Sequence, residues 1–333
     1  MAERQIGQLS FTDGLVNDAV RSNAALQRVS ELVDWGAVEA LLSGLRSGSM
    51  GAPGYPSLAL FKALLLQQWY GLSDPGLEEA LVDRLSFRRF LGLSLSDPVP
   101  DHSTVWRFRE QLAKSGLAER AFALITGQIE KSGFVLKRGT LIDASLVRSS
   151  VNPPEPPSVP PPPDADGRPG SKLVRSTLDP DAAWTRKGDK YFFGYKAHVA
   201  MDQGSRIVRR ATFTPANVNE TVPADGLICG DEGTVYADKA YDNKARRERL
   251  KRLGIRDGIA RRGNRWHQMR RWMVRRNELI SHVRAPVEPL FALLKNTYRF
   301  TRARHRGLTR NAAAFYLALA AMNLKRWAVL HPA

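Results

Sequence analysis

The sequence has little of what disulfide-bonded, membrane-spanning and zinc-binding proteins require. One cysteine, Cys229, among 333 residues excludes an internal disulfide, and no group of cysteine and histidine residues has the spacing of zinc ligands. The most apolar stretches, Leu58–Trp69 and Ala312–Leu324, are too short to span a bilayer. No apolar signal segment follows a basic start. These absences predict a cytoplasmic protein without a membrane partner.

Acidic residues are scarce in one part of the chain, and this scarcity produces the net charge of +17. Residues 244–310 contain 21 Lys and Arg residues but 4 Asp and Glu residues, which is an excess of 17. Arginine predominates there, and its guanidinium binds phosphate with two parallel hydrogen bonds. A solvated basic surface would need no partner, but so concentrated an excess favours nucleic acid. The aromatic residues interleaved with these charges are Trp266, Trp272, Tyr298 and Phe300.

Residues 1–135 predict an all-α domain that resembles a helix-turn-helix domain, with DNA binding and assembly as its role. Short apolar segments at helical spacing alternate there with glycine and with capping residues such as Ser73 and Asp101. We expect the helix Ser103–Lys114 to read DNA, with Arg107 and Arg109 among its contacts. The alternative is an ordinary core helix, because Val105, Trp106, Phe108 and Leu112 also lie on it at helical spacing.

Residues 136–333 predict an α/β domain with a mixed sheet flanked by helices. Nine of the 20 prolines lie between positions 153 and 169, which predicts an extended linker inserted at about 150–172. Alternating apolar residues predict a hairpin of Tyr191–Met201 and Ile207–Thr214, joined by a turn at 202–205. Two further strands, Thr140–Ala144 and Thr234–Asp238, each carry an aspartate close to the end.

Those aspartates, Asp143 and Asp238, would lie together if their strands are parallel neighbours in the sheet. Adjacent carboxylates repel, and a divalent cation relieves the repulsion. Glu288 is the candidate third carboxylate, and Lys295 follows it by about two helical turns, some 10 Å along the same helix. Three carboxylates suit a site with two Mg²⁺ or Mn²⁺ ions that cuts phosphodiester bonds. The alternative for each residue is structural, as a turn or capping residue for either aspartate and a first-turn residue for Glu288.

The chain resembles bacterial insertion-sequence transposases of the DDE type, in the group of insertion sequence five. Several motifs in the same order carry the resemblance, which runs from about Gly51 to Arg326. They are Leu72–Leu81, Phe90–Leu93, Pro100–Arg109, Thr140–Ala144, Phe193–His198, Thr214–Val218, Val235–Asp242, the Arg284…Glu288…Lys295 block, Arg306–Leu308 and Asn323–Arg326.

The resemblance implies a ribonuclease H-like catalytic domain with Asp143, Asp238 and Glu288 as catalytic residues and metal ligands. It also implies DNA contacts at Arg284 and Lys295, and we expect a further contact at Tyr241. The implied activity is sequence-specific binding of the element's terminal inverted repeats, metal-dependent cleavage and transfer of the strand to target DNA. Paired ends imply at least a homodimer on DNA, associated with the bacterial nucleoid.

Three features depart from the pattern of these transposases. Ser281 stands where the pattern has tyrosine, and Ala240 stands where it has glycine. Pro286 and Pro289 flank Glu288.

Two other functions use different chemistry. A tyrosine recombinase would need a covalent nucleophile, for which the pattern His267–Arg270 followed by Tyr298 is a weak candidate. A non-catalytic DNA-binding regulator, or an inactive transposase copy, would use the N-terminal helices alone and would not depend on the three carboxylates.

Overall fold

The computed structural model describes residues 4–8, 13, 23–45, 53–152, 177–263 and 269–331. The chain divides into two compact units, Met1–Phe134 with Tyr316–Ala333, and Val135–Phe315. The sequence placed a boundary at 135/136 and assigned every later residue to the second domain. The structure instead groups the last 18 residues with the first unit. Most of the predicted proline-rich linker, from residue 153 onward, lies outside the described residues.

The first unit is all-α, as the sequence predicted. Its C-terminal part joins the other helices through buried polar contacts: Trp69 Nε1 donates to the Ala321 carbonyl oxygen at 2.8 Å, and Asn323 Nδ2 donates to Thr126 Oγ1 at 3.1 Å. The helices are α1 (Ala24–Leu32), α2 (Trp35–Leu42), α3 (Ser57–Tyr70), α4 (Asp74–Asp83), α5 (Leu85–Leu91), α6 (His102–Lys114) and α7 (Leu117–Lys131).

The predicted capping residues begin two of these helices. The Ser73 hydroxyl accepts from the backbone N–H of Gly76 at 3.1 Å, and an Asp101 carboxylate oxygen accepts from that of Thr104 at 2.6 Å. Helix α6 buries Val105, Phe108 and Leu112, as a core helix does. Trp106 is the exception to that alternative, because half of it is exposed.

The second unit alternates strands and helices. Its elements are β1 (Thr140–Arg148), β2 (Ala183–Lys187), β3 (Lys190–Asp202), β4 (Val208–Pro215), α8 (Thr221–Leu227), β5 (Thr234–Ala237), α9 (Lys244–Arg252), β6 (Arg256–Ile259), α10 (Arg271–Arg284) and α11 (Val287–Asn296), and α12 (Leu308–Leu330) begins in it. A 3₁₀ turn, Lys239–Tyr241, follows β5.

One mixed sheet organises the second unit. The strands run in the order β4-β3-β1-β5-β6, with β3 antiparallel to β1 and β4, and with β1, β5 and β6 parallel. The long strand β3 pairs with β4 over most of its length and with β2 near its start. This is the predicted ribonuclease H-like sheet.

Gly194 lies where β3 passes from β2 to β4, and its position requires glycine. Its φ is +152°, and a Cβ atom there would lie 2.2 Å from the carbonyl oxygen of Val147 on the neighbouring strand. The absence of a side chain therefore lets β1 and β3 approach closely beside the site.

Helices cover the sheet, and an apolar cluster fills the space beneath α8 and α9. The cluster combines Ile142, Ala200 and Val235 from the strands with Leu227 and Leu250 from these helices. Among the described residues, no helix is both long enough and apolar enough to cross a membrane.

Candidate active site

The two aspartates lie on neighbouring parallel strands. β1 pairs with β5 through Thr140 opposite Val235 and Leu141 opposite Tyr236, and two more residues in this register set Asp143 beside Asp238. The predicted juxtaposition is therefore present. The prediction that Asp143 lies near the end of its strand is wrong, because β1 continues to Arg148 by pairing with β3. What ends just before Asp143 is the pairing with β5.

Asp143 is a largely buried carboxylate with a cationic neighbour. Its Oδ1 accepts from the backbone N–H of Ala144 at 2.9 Å and lies 3.4 Å from Arg284 Nη2. Burial raises the pKa of Asp143, Arg284 lowers it, and the charges of Asp238 and Glu220 raise it further. A carboxyl group in this position gains from any cation that binds beside it.

Asp238 has a structural role as well as a place in the site. Its Oδ1 accepts from the backbone N–H of Ala240 at 2.7 Å and caps the 3₁₀ turn. The turn uses only a backbone N–H at this position, and Ala240 does not have a positive φ, so alanine fits where the related pattern has glycine.

Glu288 lies in the first turn of α11, exposed to solvent. Val287, Leu290 and Leu294 form the buried face of this helix, which packs against β1. The flanking prolines are compatible with the helix, because Pro286 is its N-cap and Pro289 lies in the first turn, where no N–H is required. Within the described part of the chain, the Glu288 carboxylate forms no hydrogen bond or ion pair.

The two predicted DNA-binding cations of this region differ in exposure and partners. Arg284 is the last residue of α10; its side chain is 16% exposed, and its buried Nε has no hydrogen-bond partner among the described residues. Lys295 is partly buried in the last turn of α11, and burial, followed by the charge of Lys187, lowers its pKa. Ser281, where the related pattern has tyrosine, lies exposed on α10.

The predicted DNA contacts in the first unit also differ. Arg107 is exposed on α6, where it donates to Ser103 Oγ at 2.9 Å. Arg109 instead forms a bidentate ion pair with Asp74 and donates to Gln67, and its side chain is 12% exposed. The structure thus gives Arg109 an internal partner in place of phosphate.

Tyr241 is a correction to the sequence analysis. Its ring is fully buried in the apolar cluster beneath α8 and α9, so it cannot contact DNA from solvent. Its hydroxyl has no hydrogen-bond partner among the described residues. Burial raises the pKa of Tyr241, and the charges of Glu220, Asp143 and Asp238 raise it further. The hydroxyl therefore lies in the neighbourhood of the carboxylates.

Glu220 is the residue that the sequence analysis missed. It directly precedes α8, and its side chain is 28% exposed. Its charge acts on both Asp143 and Tyr241. No spacing in the sequence relates Glu220 to either aspartate, because its position depends on how α8 packs on the sheet.

The donor set fits divalent cations. The residues offer hard carboxylate oxygens, and Asp143 and Asp238 each keep one oxygen without a hydrogen bond from the described residues. The buried, unpartnered hydroxyl of Tyr241 is a second indication that the site lacks a component.

A different acidic group among the described residues, Cys229, Asp231 and Glu232, has ligand atoms within 4.8 Å of one another. Its carboxylates are already occupied. Asp231 pairs with Lys137 and Arg209, and Glu232 accepts from three backbone N–H groups.

The tyrosine-recombinase alternative lacks an accessible nucleophile. Tyr298 is 2% exposed, and burial raises the pKa of its hydroxyl. A buried phenol that resists ionisation is a poor nucleophile. His267, the other half of that pattern, lies outside the described residues.

Comparison with known proteins gives matches over both units. A family model described as a transposase domain matches residues 15–111, and one described as a transposase DDE domain matches residues 136–324. Among solved structures, the chain is similar to a piggyBac transposase synaptic complex with hairpin DNA, with a TM-score of 0.40 and 12% identity over 90% of this chain and 71% of that one. The DDE-domain match covers more than half of the 333 residues, and the chain belongs to the family of DDE transposases.

Proposed function

We propose that Asp143, Asp238 and Glu288 form the catalytic centre of this transposase and hold two Mg²⁺ or Mn²⁺ ions. The family's chemistry is divalent-metal-dependent cleavage of DNA and strand transfer. The observation that carries the assignment is the register of β1 and β5, which sets Asp143 beside Asp238. Helix α11, which bears Glu288, packs against β1.

Bound divalent ions would supply the activation of water and the stabilisation of the attacking and leaving oxygens. The chain's own residues hold and orient the charges. Arg284 lies against Asp143 and favours its ionised form, in which it can act as a ligand. Lys295, on the same helix as Glu288, places a positive charge that can hold the backbone of a DNA strand at the site.

We propose that exposed basic residues of the 244–310 segment bind the phosphates of DNA without reading its sequence. They include Lys244, Lys251, Arg252, Arg256, Arg262, Arg270, Arg271, Arg275, Arg299, Arg302, Arg304, Arg306 and Arg310. In the first unit, α6 presents Trp106, Arg107, Gln111 and Lys114 on its exposed side, and we propose this side for sequence-specific binding of the element's ends. Because two ends must be joined, the acting form is at least a dimer assembled on DNA at the bacterial nucleoid.

The test is Mg²⁺-dependent nicking of a DNA end by single variants. Asp143→Asn, Asp238→Asn and Glu288→Gln should each abolish cleavage and leave DNA binding largely unchanged, because each removes a ligand and not a phosphate contact. Tyr298→Phe is the matched control and should cut at the parent rate. Loss of cleavage in Tyr298→Phe, with full activity in the three carboxylate variants, would refute the assignment.

A further inference from the structure

Glu220 lies beside a buried cation without being fully used by it. Lys196, in the middle of β3, is 8% exposed, and its Nζ donates to the carbonyl oxygen of Val218 at 2.9 Å. The nearest Glu220 oxygen, Oε1, is 3.7 Å from the same Nζ, which is longer than a hydrogen bond. Lys196 therefore compensates the Glu220 charge while both carboxylate oxygens remain available to another partner.

A buried arginine fixes the backbone around Glu220 relative to the turn after Asp238. Arg246, 3% exposed, donates to the carbonyl oxygens of Thr221 and Tyr241, each at 2.7 Å. One guanidinium thus joins the residue after Glu220 to the turn that Asp238 caps. Helix α8 also packs directly against that turn. The relative position of the two carboxylates is consequently built into the fold.

Electrostatics indicate that Glu220 belongs with the aspartates. Among charged groups, Glu220 has the largest effect on the pKa of Tyr241, ahead of Asp143 and Asp238. It also raises the pKa of Asp143, as Asp238 does. These effects require the Glu220 carboxylate to lie near both residues, with an exposed fraction that matches that of Asp143, 28% against 27%.

The Tyr241 hydroxyl provides the independent observation. It is fully buried and unpartnered among the described residues, and the anionic side chains that act on it most are Glu220, Asp143 and Asp238. A buried hydroxyl without a partner is costly, and it is explained when a ligand or its bound water completes the site.

We propose that Glu220 is a fourth carboxylate of the active site and that it helps Asp143 and Asp238 to hold a divalent cation. This inference rests on the proposed function, since it assumes that the two aspartates bind metal. The competing role for Glu220 is purely structural, as the counter-ion of Lys196.

The experiment measures binding of Mn²⁺ alone to the full chain without DNA, by electron paramagnetic resonance of the free ion. Glu220→Gln keeps the size of the side chain and removes its charge; Asp143→Asn tests the proposed site itself. The matched control is Asp231→Asn, because Asp231 also pairs with a buried cation, Arg209, and lies before β5, at the opposite end from Asp238. Circular dichroism of each variant without metal verifies that it is folded.

We expect Glu220→Gln to weaken Mn²⁺ binding about 10-fold or more, Asp143→Asn to weaken it further and Asp231→Asn to leave it unchanged. Full affinity in Glu220→Gln with lost affinity in Asp143→Asn overturns the role of Glu220 and leaves the proposed function standing. Full affinity in Asp143→Asn overturns the proposed site itself. Equal losses in Glu220→Gln and Asp231→Asn would assign the effect to net charge and overturn the proposal. If Glu220→Gln does not fold, Glu220→Ala together with Lys196→Met removes the buried pair and is held to the same expectation.

Discussion

Arg246 separates the charge that the sequence counts from the charge that DNA can reach. It belongs to the strongly basic segment, and position alone would assign it to phosphate binding. In the structure, its side chain is 1% exposed and makes five hydrogen bonds within the protein. These reach Asp225, both the hydroxyl and the carbonyl oxygen of Thr221, and the carbonyl oxygen of Tyr241. We therefore predict that Arg246→Met damages the fold and leaves the salt dependence of DNA binding unchanged.

The magnitude follows from what the substitution leaves behind. The carbonyl oxygens of Thr221 and Tyr241 would lose a charged donor in a buried place, while Asp225 is 45% exposed and can turn to water. Removing one partner from such a buried arrangement costs about 3–5 kcal/mol. We expect Arg246→Met to lower the free energy of unfolding in urea by this amount.

Arg275 is the matched control on α10. It is exposed and forms no ion pair with a described residue. Arg275→Ala should change stability by less than about 0.5 kcal/mol. It should also reduce the slope of log K against log salt by up to about one unit, because one phosphate contact is lost. Unchanged stability of Arg246→Met, together with a slope lowered by about one unit, would refute the reasoning.

Three further predictions concern the other charged residues. Arg109→Ala should destabilise the protein by about 2–3 kcal/mol in urea unfolding because Asp74 and Gln67 lose their donor, whereas Arg107→Ala should keep stability and weaken binding of DNA ends in a mobility-shift assay. Lys295→Ala should lower the single-turnover cleavage rate at saturating enzyme, since a misplaced phosphate costs transition-state positioning; a change in affinity alone would make it a surface charge. Hydrogen bonding to Arg209 and then Lys137 lowers the pKa of Asp231 to about 2, below its unfolded value, so the stabilisation is present near neutral pH and is lost as pH falls through about 2; the stability difference between the parent and Asp231→Asn should accordingly shrink between pH 4 and 2, and a constant difference would contradict it.

Residues close together in the chain were predicted well. The helix Leu117–Lys131, the hairpin of β3 and β4 and the N-caps Ser73 and Asp101 follow from apolar spacing and capping chemistry. The pairing of Asp143 with Asp238 was also predicted, because parallel neighbours bring residues at equivalent positions together whatever their separation in the chain.

The errors arise where long-range packing decides. Tyr241 and Arg246 look like surface residues in a basic segment, but the apolar cluster and the carbonyl oxygens around α8 bury both. Strand β1 runs past Asp143 because β3 pairs with it, which the local pattern of Thr140–Ala144 does not reveal.

The sequence by itself determined the periodic elements, the family motifs and the concentration of positive charge, since each depends on neighbouring residues or on composition. Only the tertiary structure decided which charges are exposed and that Glu220 joins the aspartates. It also decided that the end of the chain belongs with the N-terminal helices. The physical reason is that burial and the electrostatic environment of a side chain are set by residues far away in the chain, which no local pattern specifies.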